Sequence, residues 1–338
     1  MTDVNKTFPA RNKRVTAADV AAKAGVSRSA VSRAFTKGAY LDDQKKETII
    51  KAAQELGYRP NALAAGLQGT QSHLVAILAG DMRTTYDAEM VAQLVSRLNA
   101  IQKWPIILDG GDLSTGEAVR SVLGFPLDAM ILRSGSMEQS IVEDCAKLNI
   151  PMISSGYIIN APGVDNVCCK NADGIALAVS HVVASGRKRI VFLGGPAKLA
   201  SSKEREAGFD QAMADAGLTP VAKLYADYTY DGGHKAIDDA LAQHDIDAII
   251  CANDAMALGA LSAARDTHAK RIPEDVSVTG FDDISMAEWP CFDLTTIRNP
   301  IDECVDHIVD LLESRLSDPS RDDQIRLIDP PLIKRGSA

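Results

Sequence analysis

The spacing of apolar and polar positions changes near residue 72 and divides the chain into two parts. From residue 73 onward, short apolar runs of strand length alternate with stretches of helical period. The strand-like runs lie at 74–79, 106–109, 129–132, 151–154, 189–193, 223–225, 248–251 and 276–279, and the helical stretches at 87–101, 116–123, 137–148, 172–185, 203–216, 231–243 and 254–265. This alternation predicts parallel sheets flanked by helices on both faces. Because the region is too long for one such core, it predicts two α/β lobes.

Before residue 72, two short helical patterns flank Gly25. Thr16 precedes the first pattern and Ser27 the second, both in positions suited to an N-cap. Gly25 readily adopts the positive φ that a tight turn requires. Two short helices joined by such a turn predict an all-α helix-turn-helix head.

The second of these helical patterns carries a polar face. Arg28, Ser29, Ser32 and Arg33 stand at helical offsets 0, 1, 4 and 5, so they share one side of the helix. Arginines and hydroxyls on one exposed face suit base edges and phosphates in a DNA major groove. The alternative is an ordinary solvated face. The predicted DNA contacts of the head are Thr16, Ser27, Arg28, Ser29, Ser32 and Arg33.

A third helical pattern begins at Asp42 and Asp43 and ends at Gly57, and a short segment from Asn61 to Gln68 follows it. A helix of that length is marginal in water unless something supports it. Paired copies laid on a DNA minor groove would give that support, with Asn61 as the cap and Leu67 as an apolar wedge between base steps. The alternative is an inert tether between domains.

Charge is distributed unevenly along the chain. Residues 1–70 hold 12 Lys and Arg against 6 Asp and Glu, whereas the whole chain holds 36 against 45 and has a formal net charge of −9. A basic head on an acidic body is typical of a protein that touches a polyanion with the head alone.

Several classes of function find no support in the sequence. The six cysteines show no C-x-x-C spacing, so neither a disulfide framework nor a metal site is predicted. Leu193-Gly-Gly-Pro196 follows a predicted strand but fits no phosphate-binding pattern. No constellation for nucleophilic or acid–base catalysis emerges. We therefore expect no enzyme activity and no cofactor, and, without a membrane span or a secretory signal, a cytoplasmic protein.

Five separated motifs resemble those of the LacI/GalR family of bacterial transcription regulators. They are GVSRSAVSR at 25–33, LGYRPN at 56–61, CANDAMALG at 251–259, PEDVSVTGFDD at 273–283 and LTTI at 294–297. The resemblance implies a helix-turn-helix domain (1–60), a hinge (61–72) and a periplasmic-binding-protein-like core (73–338). Within the core it implies lobe 1 at about 73–170 and 300–322, and lobe 2 at about 171–297 and 324–335.

The resemblance also implies where a ligand binds. Arg205, Asn253 and Asp282 fall on family positions that contact the effector. Tyr228 follows a predicted strand and is a candidate aromatic wall, while Asp81 and Arg133 follow strand ends of the first lobe. The first lobe departs from the family pattern, because Asp81–Tyr86 lacks the usual Asn-Pro. Structural capping is the alternative role for Asn253 and Asp282.

The function implied is a ligand-responsive regulator, most often a repressor in this family. A homodimer would bind a near-palindromic double-stranded operator under control of a small polar effector such as a sugar or sugar acid. The alternative is a two-lobed small-molecule-binding protein of a transport system, which has no use for the basic head.

Overall fold

A computed structural model describes residues 15–36, 38–60, 72–109, 115–133 and 139–338. The chain divides into two compact units between Ser72 and His73. The predicted DNA contacts Asn61 and Leu67 lie outside the described residues.

The first unit contains helices α1 (Ala17–Ala24), α2 (Arg28–Phe35) and α3 (Asp43–Leu56). The predicted caps are present: the Thr16 side chain accepts from the Asp19 N–H in a reciprocal capping box, and Ser27 Oγ accepts from the Ala30 N–H at 3.2 Å. Gly25 has φ +64°, which ends α1 and starts the turn toward α2. Local hydrogen bonds thus set the two helix ends that form the turn.

A small core joins the three helices. Val20, Val31 and Ile49, one from each helix, are fully buried. Phe35 packs edge-on against Tyr58 at the rim, with ring centroids 5.8 Å apart. This core leaves the opposite side of α2 to solvent.

Lobe 1 of the second unit is built on a six-stranded parallel sheet. Its strands are β1 (Leu74–Leu78), β2 (Trp104–Leu108), β3 (Leu127–Leu132), β4 (Met152–Ser155), β5 (Val164–Cys169) and β11 (Ile325–Ile328), in the order β11-β5-β4-β3-β1-β2. Helices α4 (Thr85–Ala100) and α11 (Ile301–Ser317) cover one face, and α5 (Thr115–Val122) and α6 (Gln139–Lys147) the other.

Lobe 2 repeats this architecture with a second sheet. Its strands are β6 (Ile190–Gly194), β7 (Ala222–Tyr225), β8 (Ala248–Cys251), β9 (Ser277–Asp282), β10 (Thr295–Arg298) and β12 (Leu332–Ile333), in the order β12-β10-β9-β8-β6-β7. The helices are α7 (Asn171–Ala184), α8 (Ala200–Asp215), α9 (Tyr230–Gln243) and α10 (Asp254–Ser262). Only the short edge strand β12 is antiparallel among the pairs described. Stacked Phe192 and Phe209 lie in the core.

The predicted lobe boundary near the C-terminus is wrong. Residues 324–335 were expected in lobe 2, but β11 pairs in parallel with β5 of lobe 1, and β12 is the strand that joins lobe 2. The chain therefore crosses between the lobes after β5, after β10 and after β11. On β11 the outward side chains Ile325 and Leu327 are half exposed, so its apolar pattern does not indicate which sheet it joins.

Candidate functional site

The exposed face of α2 is the candidate DNA contact of the first unit. Arg28, Ser29, Ser32 and Arg33 are all exposed, as the helical offsets predict. Arg33 Nε donates to the Ser29 carbonyl at 3.4 Å, so the guanidinium follows the helix surface. Two cationic groups and two hydroxyls thus share one solvent-facing surface.

The hydroxyls of Thr16 and Ser27 serve the helix ends. Thr16 Oγ1 donates to the Asp19 carboxylate at 2.7 Å, while Ser27 Oγ caps α2 and lies 2.9 Å from Ser29 Oγ. Their described hydrogen bonds are structural, which makes the α2 face the stronger candidate for reading DNA.

A cavity of about 330 Å³ lies between the two sheets of the second unit. Many of its lining residues lie at or just after the carboxyl ends of the parallel strands, where ligands bind in open α/β sheets, and others such as Arg205 and Cys304 come from helices α8 and α11. All six predicted effector contacts line it: Asp81 and Arg133 from lobe 1, and Arg205, Tyr228, Asn253 and Asp282 from lobe 2. Residues as far apart in the sequence as Asp81 and Asp282 therefore meet in one place.

Arg205 forms the centre of the lobe 2 wall. Its Nε donates to Asn171 Oδ1 at 2.9 Å, Nη1 donates to the Ala252 carbonyl, and Nη2 lies 3.4 Å from Asp282 Oδ1. The guanidinium carbon also lies 3.7 Å from the centroid of the Phe281 ring, a cation–π distance. Each guanidinium nitrogen is thus held by a fixed partner, and the side chain presents a rigid surface to the cavity.

Asp282 is the carboxylate that faces Arg205, and it ends strand β9 with φ +118°. Burial raises the pKa of Asp282 to about 6; Arg205 opposes the rise, and the negative charge of Asp87 in lobe 1 adds to it. The Asp282 carbonyl accepts from the Asn299 N–H at 3.2 Å, in the segment that crosses from β10 to α11. Asp282 therefore contacts both the cavity and a crossing between the lobes.

Asn253 has the capping role that sequence reasoning left open. Its Oδ1 accepts from the Met256 N–H at 3.0 Å to cap α10, and its Nδ2 donates to the Tyr228 carbonyl at 3.2 Å. Tyr228 has φ +66°, and its ring packs so closely on Gly195 that a Cβ there would lie 2.1 Å from a ring carbon. The glycine at 195 makes room for the aromatic wall, which gives the Gly-Gly sequence a packing role.

Asp254 and Asp283, next to these residues, are structural. Fully buried Asp254 accepts from the Ile284 N–H at 2.8 Å and from the Thr296 hydroxyl. Burial, and then the negative charge of Asp282, raises the pKa of Asp254 to about 7. Asp283 is paired with Arg298 at 2.7 Å. Both aspartates hold the lobe 2 strand ends together.

The lobe 1 wall is centred on Arg133, whose side chain is 5 % exposed. Its Nη1 donates to Ser155 Oγ at 3.0 Å and its Nη2 to Asp87 Oδ1 at 2.9 Å, while the Tyr86 ring lies 5.9 Å from the guanidinium carbon. Asp81, by contrast, forms an exposed pair with Arg83 at the cavity rim.

Sequence reasoning missed several residues of this cavity, namely Tyr86, Asp87, Ser155 and Asn171. The Thr84-x-x-Asp87 spacing is a capping signature, and Thr84 does cap α4. That signal locates the helix but not the second task of Asp87, which is to pair with Arg133. Asn171 was missed because it follows β5, a strand that the apolar pattern did not reveal.

The described ranges bear on metal binding, thiol reactivity and membrane insertion. No cluster of three or more His, Cys, Asp or Glu side chains there is placed to hold a metal ion. Cys169 and Cys304 line the cavity, and burial raises the pKa of their thiols to about 12 and about 11, which makes them weak nucleophiles. No described helix combines the length and apolar character needed to cross a bilayer.

Two family models match the chain. Residues 16–61 match "Bacterial regulatory proteins, lacI family" and residues 179–338 match "Periplasmic binding protein-like domain". The boundaries of the first match enclose α1, α2 and α3, and those of the second enclose most of lobe 2.

Characterised relatives match most of the chain. Catabolite control protein A of Priestia megaterium is 28 % identical over 85 % of this chain and 88 % of its own length. The ribose operon repressor of Escherichia coli K12 is 28 % identical over 95 % of this chain and 98 % of its own. The crystal structure of the lac repressor dimer bound to operator and the anti-inducer ONPF has a TM-score of 0.87 at 26 % identity, covering 96 % of this chain and 99 % of that one.

Two of these relatives are named as repressors and the third as a catabolite control protein, and none is named as an enzyme. The architecture agrees with them: an all-α helix-turn-helix head and a two-lobed α/β core. Residues 16–61 therefore form a DNA-binding head of the LacI family of bacterial regulatory proteins, and the chain as a whole is similar to the lac repressor.

Proposed function

We propose that this protein regulates transcription by binding operator DNA through α2, with its DNA affinity set by a small polar effector in the cavity between the lobes. The observation that carries the DNA half is the exposed Arg28, Ser29, Ser32 and Arg33 face on a helix whose start is fixed by a cap. A guanidinium can donate two hydrogen bonds to a guanine edge, and serine hydroxyls bond bases or phosphates.

Two copies of the chain would act together. A helix-turn-helix dimer places its recognition helices in successive major grooves, so the operator is expected to be near-palindromic. In this proposal residues 61–72 join each head to its core and lie on the central minor groove, with Leu67 between base steps. Such a protein acts where the DNA is, so we propose a cytoplasmic location.

The effector half rests on the composition of the cavity. Its walls combine guanidinium, carboxylate, amide and aromatic side chains from both lobes, which suit a polyhydroxy compound such as a sugar or sugar acid. A ligand that contacts both walls favours the lobe arrangement in which both contacts form. A coupling of about 1–3 kcal/mol between effector and operator would change DNA occupancy several-fold or more.

The DNA half is tested with the full chain. An operator is first selected from random duplex DNA, and affinity is then measured for that operator and for a scrambled duplex at moderate salt. We expect Arg33→Ala to abolish the preference, whereas Lys51→Ala, which removes an exposed charge from α3, should leave it. An Arg33→Ala protein that still prefers the operator would contradict the assignment of α2.

The hinge role of Leu67 is tested separately. Leu67→Ala should weaken operator binding while the thermal unfolding of the protein is unchanged, because the wedge acts only on DNA. Operator affinity equal to that of the wild type would reduce residues 61–72 to a tether.

A further inference from the structure

The lobe 1 wall of the cavity contains a buried cation with spare hydrogen-bonding capacity. Arg133 uses Nη1 on Ser155 and Nη2 on Asp87, but its Nε has no hydrogen-bond partner among the described residues. Arg205 on the opposite wall differs, since its Nε, Nη1 and Nη2 all have protein partners. Buried N–H groups are nearly always satisfied in native proteins, so the Arg133 Nε, which solvent does not reach in this structure, is a donor that an acceptor would satisfy after a small shift of the guanidinium toward the cavity.

Two tyrosines that line the same cavity show the same property. The hydroxyls of Tyr157 and Tyr228 are buried, and no hydrogen-bond partner for either lies in the part of the chain that the structure describes. Burial raises the pKa of Tyr157 to about 12, and a contact with the Ser154 side chain opposes that rise, so the hydroxyl keeps its proton and can donate. The Arg133 Nε and the two tyrosine hydroxyls are therefore all potential hydrogen-bond donors. They complement an effector that carries several hydrogen-bond acceptors.

The charges that line the cavity limit what that group can be. The basic side chains are Arg83, Arg133, Lys198 and Arg205, and the acidic ones are Asp81, Asp87, Asp227 and Asp282. With the two signs balanced, a singly charged anion is accommodated more easily than a doubly charged phosphate. A planar carboxylate also matches the planar guanidinium, which favours two parallel hydrogen bonds.

We propose that Arg133 binds a carboxylate of the effector, so that this regulator responds to a carboxylated polyhydroxy compound and not to the matching neutral sugar. The proposal rests on the cavity being the effector site, as argued above. Asp282 and Asp81 remain available as acceptors for the hydroxyls of such a ligand. The size of the cavity, about 330 Å³, suits a single sugar acid.

The test measures binding of matched pairs of compounds to the full chain by calorimetry. The pairs are D-glucuronate with D-glucose, D-galacturonate with D-galactose, and D-gluconate with D-sorbitol, and D-glucose 6-phosphate represents the phosphates. We expect at least one acid to bind about 10- to 100-fold more tightly than its neutral partner, the range for a charge-assisted hydrogen bond.

Two variants assign that preference to lobe 1. Arg133→Gln should remove the preference for the acid while the neutral partner binds as before. Tyr157→Phe should weaken acid binding about five-fold through loss of one hydrogen bond, and because that hydroxyl has no described partner, this variant guards against a folding defect in Arg133→Gln. The control is Arg97→Gln, which removes an exposed arginine of α4 outside the cavity lining and should keep the preference.

Several results would overturn the proposal: equal binding of acid and neutral partner, no binding by any acid, tighter binding of the phosphate than of the acids, or an acid preference that survives Arg133→Gln. Operator binding is measured on the same preparations without ligand. A preserved operator preference with no acid preference would refute this inference alone, whereas loss of both would refute the regulator function as well.

Discussion

The two walls of the cavity contain similar side chains used in different ways. On the lobe 2 wall, Arg205 and Asn253 have their nitrogen and oxygen atoms bonded to neighbouring strands and helices. On the lobe 1 wall, Arg133 and Tyr157 each keep a buried donor without a partner among the described residues. The lobe 2 wall is thus mostly bonded into the fold, with the Tyr228 hydroxyl as its exception, whereas the lobe 1 wall keeps an unpartnered donor on both its buried arginine and Tyr157.

This difference follows the sequence motifs. The lobe 2 residues lie in or beside the segments that match the family pattern, whereas lobe 1 departs from the family pattern after β1. A wall that also maintains the fold tolerates little change, because each substitution leaves a buried group unsatisfied. A wall with spare donors can vary with the ligand. Substitutions on lobe 2 should therefore mainly affect stability, and substitutions on lobe 1 mainly ligand choice.

The largest effect is expected from Arg205→Ala. Removing this guanidinium leaves Asp282 buried without its cation and leaves an empty space beside the Phe281 ring. Lobe 2 should therefore lose about 3–5 kcal/mol of unfolding free energy. The chain has two tryptophans, Trp104 in lobe 1 and Trp289 in lobe 2. Replacing one of them by phenylalanine leaves a single tryptophan, whose fluorescence reports the urea unfolding of its own lobe. A change below about 1 kcal/mol, the range expected for the exposed control Arg83→Ala, would contradict the structural role of Arg205.

A smaller, pH-dependent effect is expected at Asp254. Because its pKa is raised to about 7 in the folded state, the folded protein holds a proton that the unfolded chain releases, and stability falls as the pH rises toward about 7. As the pH rises from about 5.5 to 8, ionisation of this residue should lower the free energy of unfolding by about 2 kcal/mol. Asp254→Asn keeps an acceptor for Ile284 and should flatten the pH profile of lobe 2. An unchanged profile in the variant would show that Asp254 stays ionised.

Asn253→Ala should cost about 1 kcal/mol, the usual loss for an N-cap. The matched variant Asn253→Ser retains a cap acceptor and should recover most of that stability. If both variants bind the effector as the wild type does, Asn253 serves the fold alone; if Asn253→Ser binds more weakly at wild-type stability, the amide also contacts ligand and the contrast between the walls is less sharp.

The smallest stability effect is expected from Tyr157→Phe. Since the Tyr157 hydroxyl has no hydrogen bond with the described residues, its removal should change unfolding free energy by less than about 0.5 kcal/mol. Ser155→Ala, which removes a described acceptor of Arg133, should cost about 1 kcal/mol in the same measurement. A larger loss for Tyr157→Phe than for Ser155→Ala would show that the tyrosine hydroxyl supports the fold.

The sequence predicted the parts of the fold that local interactions determine. The caps at Thr16 and Ser27 and the turn at Gly25 depend on neighbours within a few residues, and the strand–helix alternation shows in the apolar spacing. Residues 324–335 were all expected in lobe 2, yet β11 within that range joins lobe 1, because four residues at an exposed sheet edge carry no information about their partner strand.

For the cavity, the sequence predicted several of the residues that line it but not how those residues pair with one another. The carboxyl ends of the strands and the family motifs together located all six proposed effector contacts in one cavity. The pairing of Asp87 with Arg133 joins residues 46 positions apart, and that of Asn171 with Arg205 joins residues 34 apart. Such pairs arise from tertiary packing, and no local pattern in a single sequence reveals them.

We propose above that a ligand in the cavity controls DNA binding by α2. The most direct test follows the fluorescence anisotropy of a labelled, selected operator bound to the full chain while each compound of the panel is added. A change in operator affinity of about ten-fold, produced by one class of compound and absent for scrambled DNA, is the predicted result. Operator affinity that no compound changes, under conditions where calorimetry shows the compound bound, would contradict the account.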